Sequence, residues 1–175
     1  MVGSGYFYLK AQMSDPLTKA VNDTLWPYLK AEGFGKLSPR KFVREKNDVF
    51  QQLWVDANGV AGKRSTYVIL CANLPFGPVN GYMDPHGFRI SNGRSWGMAT
   101  PQAAASSMQQ VVEALKSSEL RKLDEISSIG MMLALLERLS GRNWHATYSQ
   151  LHQKWLQKDA EALAIEQANR GALKL

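Results

Sequence analysis

The amino-acid sequence predicts an α+β protein: an antiparallel β-meander of three to four strands, with an N-terminal helix and a C-terminal group of about three helices. Three observations carry this expectation. Leu17, Val21, Leu25 and Tyr28 or Leu29 recur at helical spacing, and the pattern ends at Gly33. Between Lys41 and Ala72, apolar runs alternate with turn residues. From Thr100 onward, apolar residues return to helical spacing. Because the helices flank the strands instead of alternating with them, a doubly wound parallel sheet is not expected.

The first helix is expected to start at Ser14 or Asp15 as N-cap, with Pro16 at the first helical position, where its missing amide hydrogen costs nothing. Pro27 falls late in this helix and removes a backbone bond to Asp23, so a kink or a tightened last turn is expected. Gly33 supplies a left-handed stop, and Phe34 packs back on the helix end. Strands follow at Lys41–Lys46, Val49–Asp56 and Ser65–Ala72, joined as hairpins by Asn47-Asp48 and by residues 57–62. In the second strand Val49, Gln51, Leu53 and Val55 share one face, while Phe50, Gln52 and Trp54 share the other. Apolar bulk on both faces predicts a sheet covered, at least in part, on both sides.

Residues 73–100 hold five glycines and three prolines around Phe76, Tyr82, Phe88 and Trp96. A connection this long is usually functional or disordered, and four large aromatic residues favour order. Phe88–Ser91 is the candidate fourth strand. Thr100 and Pro101 open the next helix, with a stripe of Ala104, Met108, Val111 and Leu115. Ser117-Ser118-Glu119 suggests a break and a new N-cap, after which a helical pattern runs to Leu139 and stops at Ser140-Gly141. The last helical segment, 143–169, carries Trp144, Tyr148, Leu151, Trp155 and Leu163, with Gly171 as its stop.

A chain of 175 residues with 45% hydrophobic content fits a single domain over 1–175. Residues 1–13 read as an extension or tail, 14–100 as helix plus sheet and 101–175 as the helical part. The single cysteine, Cys71, lies inside an apolar run and is expected to be structural, so no intramolecular disulfide framework or cysteine-rich zinc site forms. No apolar run approaches the ~18 residues of a membrane helix. The expectation is a protein that does not engage a membrane and resides in the cytoplasm.

The net charge of +6 is concentrated early: residues 1–64 carry ten Lys or Arg against six Asp or Glu. Lys36, Arg40, Lys41, Arg44 and Lys46 face only Glu45. Such a patch attracts phosphate or an acidic protein surface, although charged edge strands also serve to prevent sheet-to-sheet association. Catalytic signatures are lacking. His145 and His152 stand about 10 Å apart along a helix, too far to share a metal. Asp84-Pro85-His86-Gly87 sets a carboxylate near an imidazole, yet both dipeptides are ordinary turn chemistry. No nucleophile elbow, phosphate-binding loop or dinucleotide fingerprint is present in the sequence. The chain is therefore expected to be non-enzymatic, with no catalytic residues, cofactor or metal.

One stretch carries a family resemblance. In residues 25–56 a helix runs into Gly33-Phe34, then a basic turn, then Phe42 and Arg44, then an apolar strand with Gln51 or Gln52. This resembles the bacterial domain of unknown function family 4304, whose members open with a helix ending in Gly-Phe before a sheet, and Phe88-Arg89-Ile90 corresponds to that family's later Arg-Ile strand. The resemblance covers about residues 15–120 and implies a fold and a bacterial origin without supplying catalytic residues. Small α+β proteins lacking an active-site constellation are often protein-binding modules, and one bacterial role for them is that of an immunity protein neutralising a cognate toxin. The expected partner is a protein, such as a toxin domain with an acidic surface. The alternative is a nucleic-acid-associated protein using the basic hairpin. The expected binding surface joins Lys36, Arg40, Lys41 and Arg44 of the hairpin to His86, Arg89, Arg94 and Trp96 of the long loop, with Arg44 and Arg89 contributing more than Lys36.

Overall fold

The computed structural model describes residues 15–58, 64–77, 86–139 and 144–175. The expectations for Ser14, for most of the second hairpin loop, for Tyr82 and Asp84-Pro85, and for the stop at Ser140-Gly141 lie outside them. The first helix, α1, joins an α-helical segment Pro16–Ala20, a π-helical turn Val21–Leu25 and a second α-helical segment Trp26–Ala31. Asp15 caps it, accepting from the Leu17 and Thr18 amides. The Pro27 irregularity is taken up one turn early. The Trp26 amide bonds to the Val21 carbonyl, and this wider turn accommodates the proline without a sharp break. At the other end Gly33 has φ +82°. The Phe34 amide reaches back to the Leu29 carbonyl at 3.0 Å and the Gly33 amide to that of Lys30 at 3.1 Å. This paired closure buries Phe34 against the helix.

The strands are β1 Gly35–Ser38, β2 Lys41–Lys46, β3 Val49–Asn58, β4 Ser65–Asn73, β5 His86–Arg89 and β6 Trp96–Gly97. Among the described residues they form one six-stranded sheet in the order β1-β2-β3-β4-β5, with β6 also on β4 and every pair antiparallel. The meander is present with two short additions, β1 and β6. Neither shows the alternation that marks a strand in sequence. Asn47 and Asp48 both take positive φ, the geometry of a two-residue hairpin turn whose twist matches its strands. After β5, Ser91, Asn92 and Gly93 form a left-handed turn in place of the expected end of the strand.

Helix α2 is likewise continuous across an expected break: Pro101–Ala114, a π turn Leu115–Glu119, then Leu120–Asp124. Thr100 caps it through the Ala103 amide at 3.1 Å. Glu119 does not cap a new helix. It is buried, pairs with Lys122 and accepts from the Ser91 amide, tying the left-handed turn to α2. Ser128 caps α3, Ile129–Arg138. The last segment divides into α4, Trp144–Leu156, and α5, Ala160–Leu173, with Lys158 left-handed between them and Asp159 as the new cap. Gly171 lies within α5, and Lys174 takes the left-handed cap position instead. Among the described residues no helix is long and apolar enough to cross a membrane.

Register assigns the two sheet faces. Phe42, Leu53 and Leu70 are aligned on one face, beside Val55 and Val68, and share a buried cluster with Leu17, Val21 and Leu25 of α1 and Met108, Val111 and Leu115 of α2. Burial of this face supplies most of the driving force for folding. Arg44 and Gln51 lie opposite each other on the same face, and both are buried. The Arg44 guanidinium donates to Gln51 Oε1 at 2.8 Å, to the Glu32 carbonyl at 2.8 Å and to Asp124, while stacking over Phe34. Gln51 Nε2 donates to the carbonyls of Leu123 and Ile126 at 2.9 and 3.1 Å. Burial pulls the Arg44 pKa down, and the adjacent Asp124 carboxylate opposes that shift.

The opposite face carries the rows Glu45–Phe50–Asn73, Val43–Gln52–Cys71, Lys41–Trp54–Ile69–Arg89 and Asp56–Tyr67. Cys71 is buried, as expected. Helices α4 and α5 fasten to the end marked by Glu45, Phe50 and Asn73. The Tyr148 hydroxyl donates to Asn73 Oδ1 at 3.0 Å, Asn169 donates to the Pro75 and Gly77 carbonyls at 2.6 and 2.8 Å, and Arg170 grips Glu45 in a bidentate pair. Phe76 stacks on His152 and meets Trp155, and this burial holds the His152 pKa below its usual value.

Two stability predictions follow from these fastenings. Arg44→Ala strands the Gln51 amide oxygen and the Glu32 carbonyl, and urea denaturation should show a loss of about 3 kcal/mol. Arg44→Lys should recover only part of that, because an ammonium lacks the planar fork that reaches three acceptors. In Gly77→Ala the new Cβ would collide with Asn73 Oδ1 and lie 2.9 Å from the Tyr148 ring and hydroxyl. A loss of roughly 1–3 kcal/mol is expected, with faster amide exchange confined to α4 and α5.

Candidate functional site

The end of the sheet face beyond α4 and α5 presents aromatic and cationic side chains. Lys41, Trp54, Ile69 and Arg89 stand side by side across β2, β3, β4 and β5. The Lys41 ammonium sits 4.6 Å from the centre of the Trp54 ring, and the Arg89 guanidinium 4.0 Å from that of Tyr67. Trp54 and Tyr67 are half-buried, whereas Lys41 and Arg89 are exposed. Each cation is thus set over an aromatic face while remaining exposed to solvent.

Unequal strand lengths create a cleft beside this row. β2 begins at Lys41 opposite Trp54, whereas β3 continues to Asn58, so β3 projects past the turn between β1 and β2. The Val55 amide still finds the Arg40 carbonyl at 2.9 Å. The Ala57 amide is met by the neighbouring Asp56 carboxylate at 2.8 Å, and the other Asp56 oxygen accepts from the Tyr67 hydroxyl at 2.8 Å. The resulting cleft of about 540 Å³ is lined by Ser38, Pro39, Arg40, Lys41, Trp54, Asp56 and Tyr67 among others. A second concavity, about 490 Å³, lies between α2, α3 and Phe88. Its floor is apolar and its rim charges are mixed, with Lys122 held by Glu119.

The eight residues expected to form a binding surface do not all share one. Arg40 and Lys41 line the cleft together, and Arg89 stands at the far end of the same cross-strand row, three strands from Lys41. Arg44, expected on the surface, is a buried structural cation whose guanidinium is engaged within the chain. Trp96, also expected there, is only 4% exposed and belongs to the core, with its indole nitrogen unpartnered among the described residues. Its β-strand pairing with Thr66 turns the ring inward. Lys36 lies on the helix side of the sheet, bonded to Asn22 at 2.7 Å and set over Trp26. Arg94 is exposed next to α2, donating to Gln110 at 2.9 Å. His86 pairs through its backbone with Ala72.

The sequence reading missed Trp54, Ile69, Asp56 and Tyr67. The alternation of β3 placed Trp54 on this face, but nothing in the sequence indicated that α4 and α5 cover only the far end. Comparison with known proteins finds no matching family model, no matching curated protein and no matching solved structure. Among the described residues no cluster of His, Cys, Asp and Glu could hold a metal ion.

Tyr67 reports on the geometry of this face. The hydrogen bond to Asp56 holds its phenol above the usual value, with desolvation and the Asp56 charge acting the same way and Arg89 opposing them. Asp56→Asn removes the negative charge that disfavours phenolate, so ultraviolet titration of Tyr67 should move down in pH. Arg89→Ala should move it up.

Proposed function

We propose that this chain is a protein-binding module whose contact face is the Lys41–Trp54–Ile69–Arg89 row with Tyr67 and Arg40, and whose partner presents an acidic surface. The row itself is the observation that supports this reading. Trp, Tyr and Arg are the side chains that most often dominate protein interfaces, because they bury large areas at low entropic cost and combine apolar bulk with a polar end. Arg40, Lys41 and Arg89 have no carboxylate within ion-pair distance among the described residues, whereas Arg44, Lys46, Lys154 and Arg170 are paired. An acidic partner would supply the missing charges. A toxin domain is the partner class that this reading ranks first, by analogy with small immunity proteins.

Nucleic acid is the weaker reading on the same geometry. Base stacking uses an open aromatic face, and here each ring already has a cation over it. Association with the protein partner should weaken as salt rises. With a partner captured from the source cell, titration calorimetry should show that Arg89→Ala costs about 2 kcal/mol and Lys36→Ala far less. Unchanged affinity after combined charge reversal at Arg40, Lys41 and Arg89 would reject this face. Tight RNA or DNA binding with a steep salt slope would put the nucleic-acid reading in its place.

A further inference from the structure

We propose that the cleft beside the turn between β1 and β2 is the anchor socket of this face, receiving one carboxylate side chain, aspartate or glutamate, from the partner. The inference rests on the protein-binding reading and specifies its chemistry. Three features of the cleft support it. Arg40 and Lys41 both line the cleft, with neither paired to a carboxylate among the described residues. Lys41 is held in position over Trp54, so its charge needs little ordering when a partner arrives. The Trp54 ring and Ile69 give an apolar surface against which the methylene stem of an acidic residue packs while its head group reaches the cations.

Asp56 decides which anion fits. Its two oxygens already accept from Ala57 and Tyr67, and its carboxylate lines the same cleft as the cations. A single negative charge is drawn to Arg40 and Lys41 with modest repulsion from Asp56. A doubly charged phosphate meets that repulsion twice over, in a site lined by two cations among the described residues. The hydroxyls of Thr18 and Ser38 complete the polar lining, with that of Thr18 already donating to Asp15. A carboxylate monoanion is therefore favoured over phosphate.

The test uses the full chain labelled with nitrogen-15, following the Trp54 indole and Arg40 side-chain signals. Three probes are titrated: N-acetyl-glutamate N-methylamide, its glutamine counterpart and inorganic phosphate. The glutamate probe should shift both signals saturably in the millimolar range. The glutamine probe should bind more weakly, and the double variant Arg40→Ala/Lys41→Ala should lose about fivefold in affinity for the glutamate probe. Equal binding of the glutamine probe, tighter binding of phosphate, or unmoved signals would each overturn the socket. A hexaglutamate peptide separates the two levels. If it binds and Arg89→Ala weakens it, yet the glutamate probe leaves Trp54 and Arg40 unmoved, the socket fails while the binding face stands. If neither ligand binds at this end of the sheet, both readings fail.

Discussion

The fold depends on one buried cation. Arg44 projects from the second strand into the space where the end of α1, the sheet and the end of α2 meet, and its guanidinium reaches one acceptor on each. Helix ends carry carbonyls with no partner inside the helix, and burying them unanswered is costly. Here Arg44 answers the Glu32 carbonyl beyond α1, and Gln51 donates to those of Leu123, in the last turn of α2, and Ile126, just beyond it. Taking a charge out of water is expensive, so such a group persists only when its donors are met and an opposite charge is near. Asp124 supplies that charge and binds Lys46 as well. The two helices are thereby set at defined heights on the sheet, and the apolar cluster packs in one register.

From that arrangement follows the inequality between the two sheet faces. With α1 and α2 packed on one face, α4 and α5 cover one end of the other. Tyr148, Asn169 and Arg170 anchor α4 and α5 to Asn73, to the Pro75–Gly77 segment and to Glu45. The row at Lys41 and Arg89 lies beyond those anchors. A half-covered sheet face bearing Trp54 and Tyr67 under cations is a surface with apolar area and charge together, the combination that interfaces use.

Both long helices contain a π turn, and each resolves a local conflict without ending the helix. In α1 the turn at Val21–Leu25 precedes Pro27. In α2 the turn at Leu115–Glu119 lets Glu119 turn inward, where it receives the Ser91 amide and Lys122. A sequence such as Ser117-Ser118-Glu119 carries the chemistry of a helix start, and local propensity favours one there. Packing of Leu115 and Leu120 on either side keeps the helix intact instead.

The sequence alone determined the elements whose signals are local. Asp15-Pro16 and Thr100-Pro101 mark helix starts because a cap and a fixed φ act within one turn. Gly33-Phe34 marks a stop because only glycine takes that left-handed position at no cost. Asn47-Asp48 marks a hairpin because two residues with positive φ match the strand twist, and the period-two pattern of β3 divided its side chains between the faces. Only the tertiary structure decided which charges are buried and which face is open. Arg44 and Lys41 are both basic residues in one strand, three positions apart and therefore on opposite faces. What places one in the core and leaves the other in solvent is where α2 and α5 land, through contacts with Asp124 and Arg170 that lie 80 and 125 residues from their partners in the chain. Burial is a property of such distant contacts, and no local pattern encodes them.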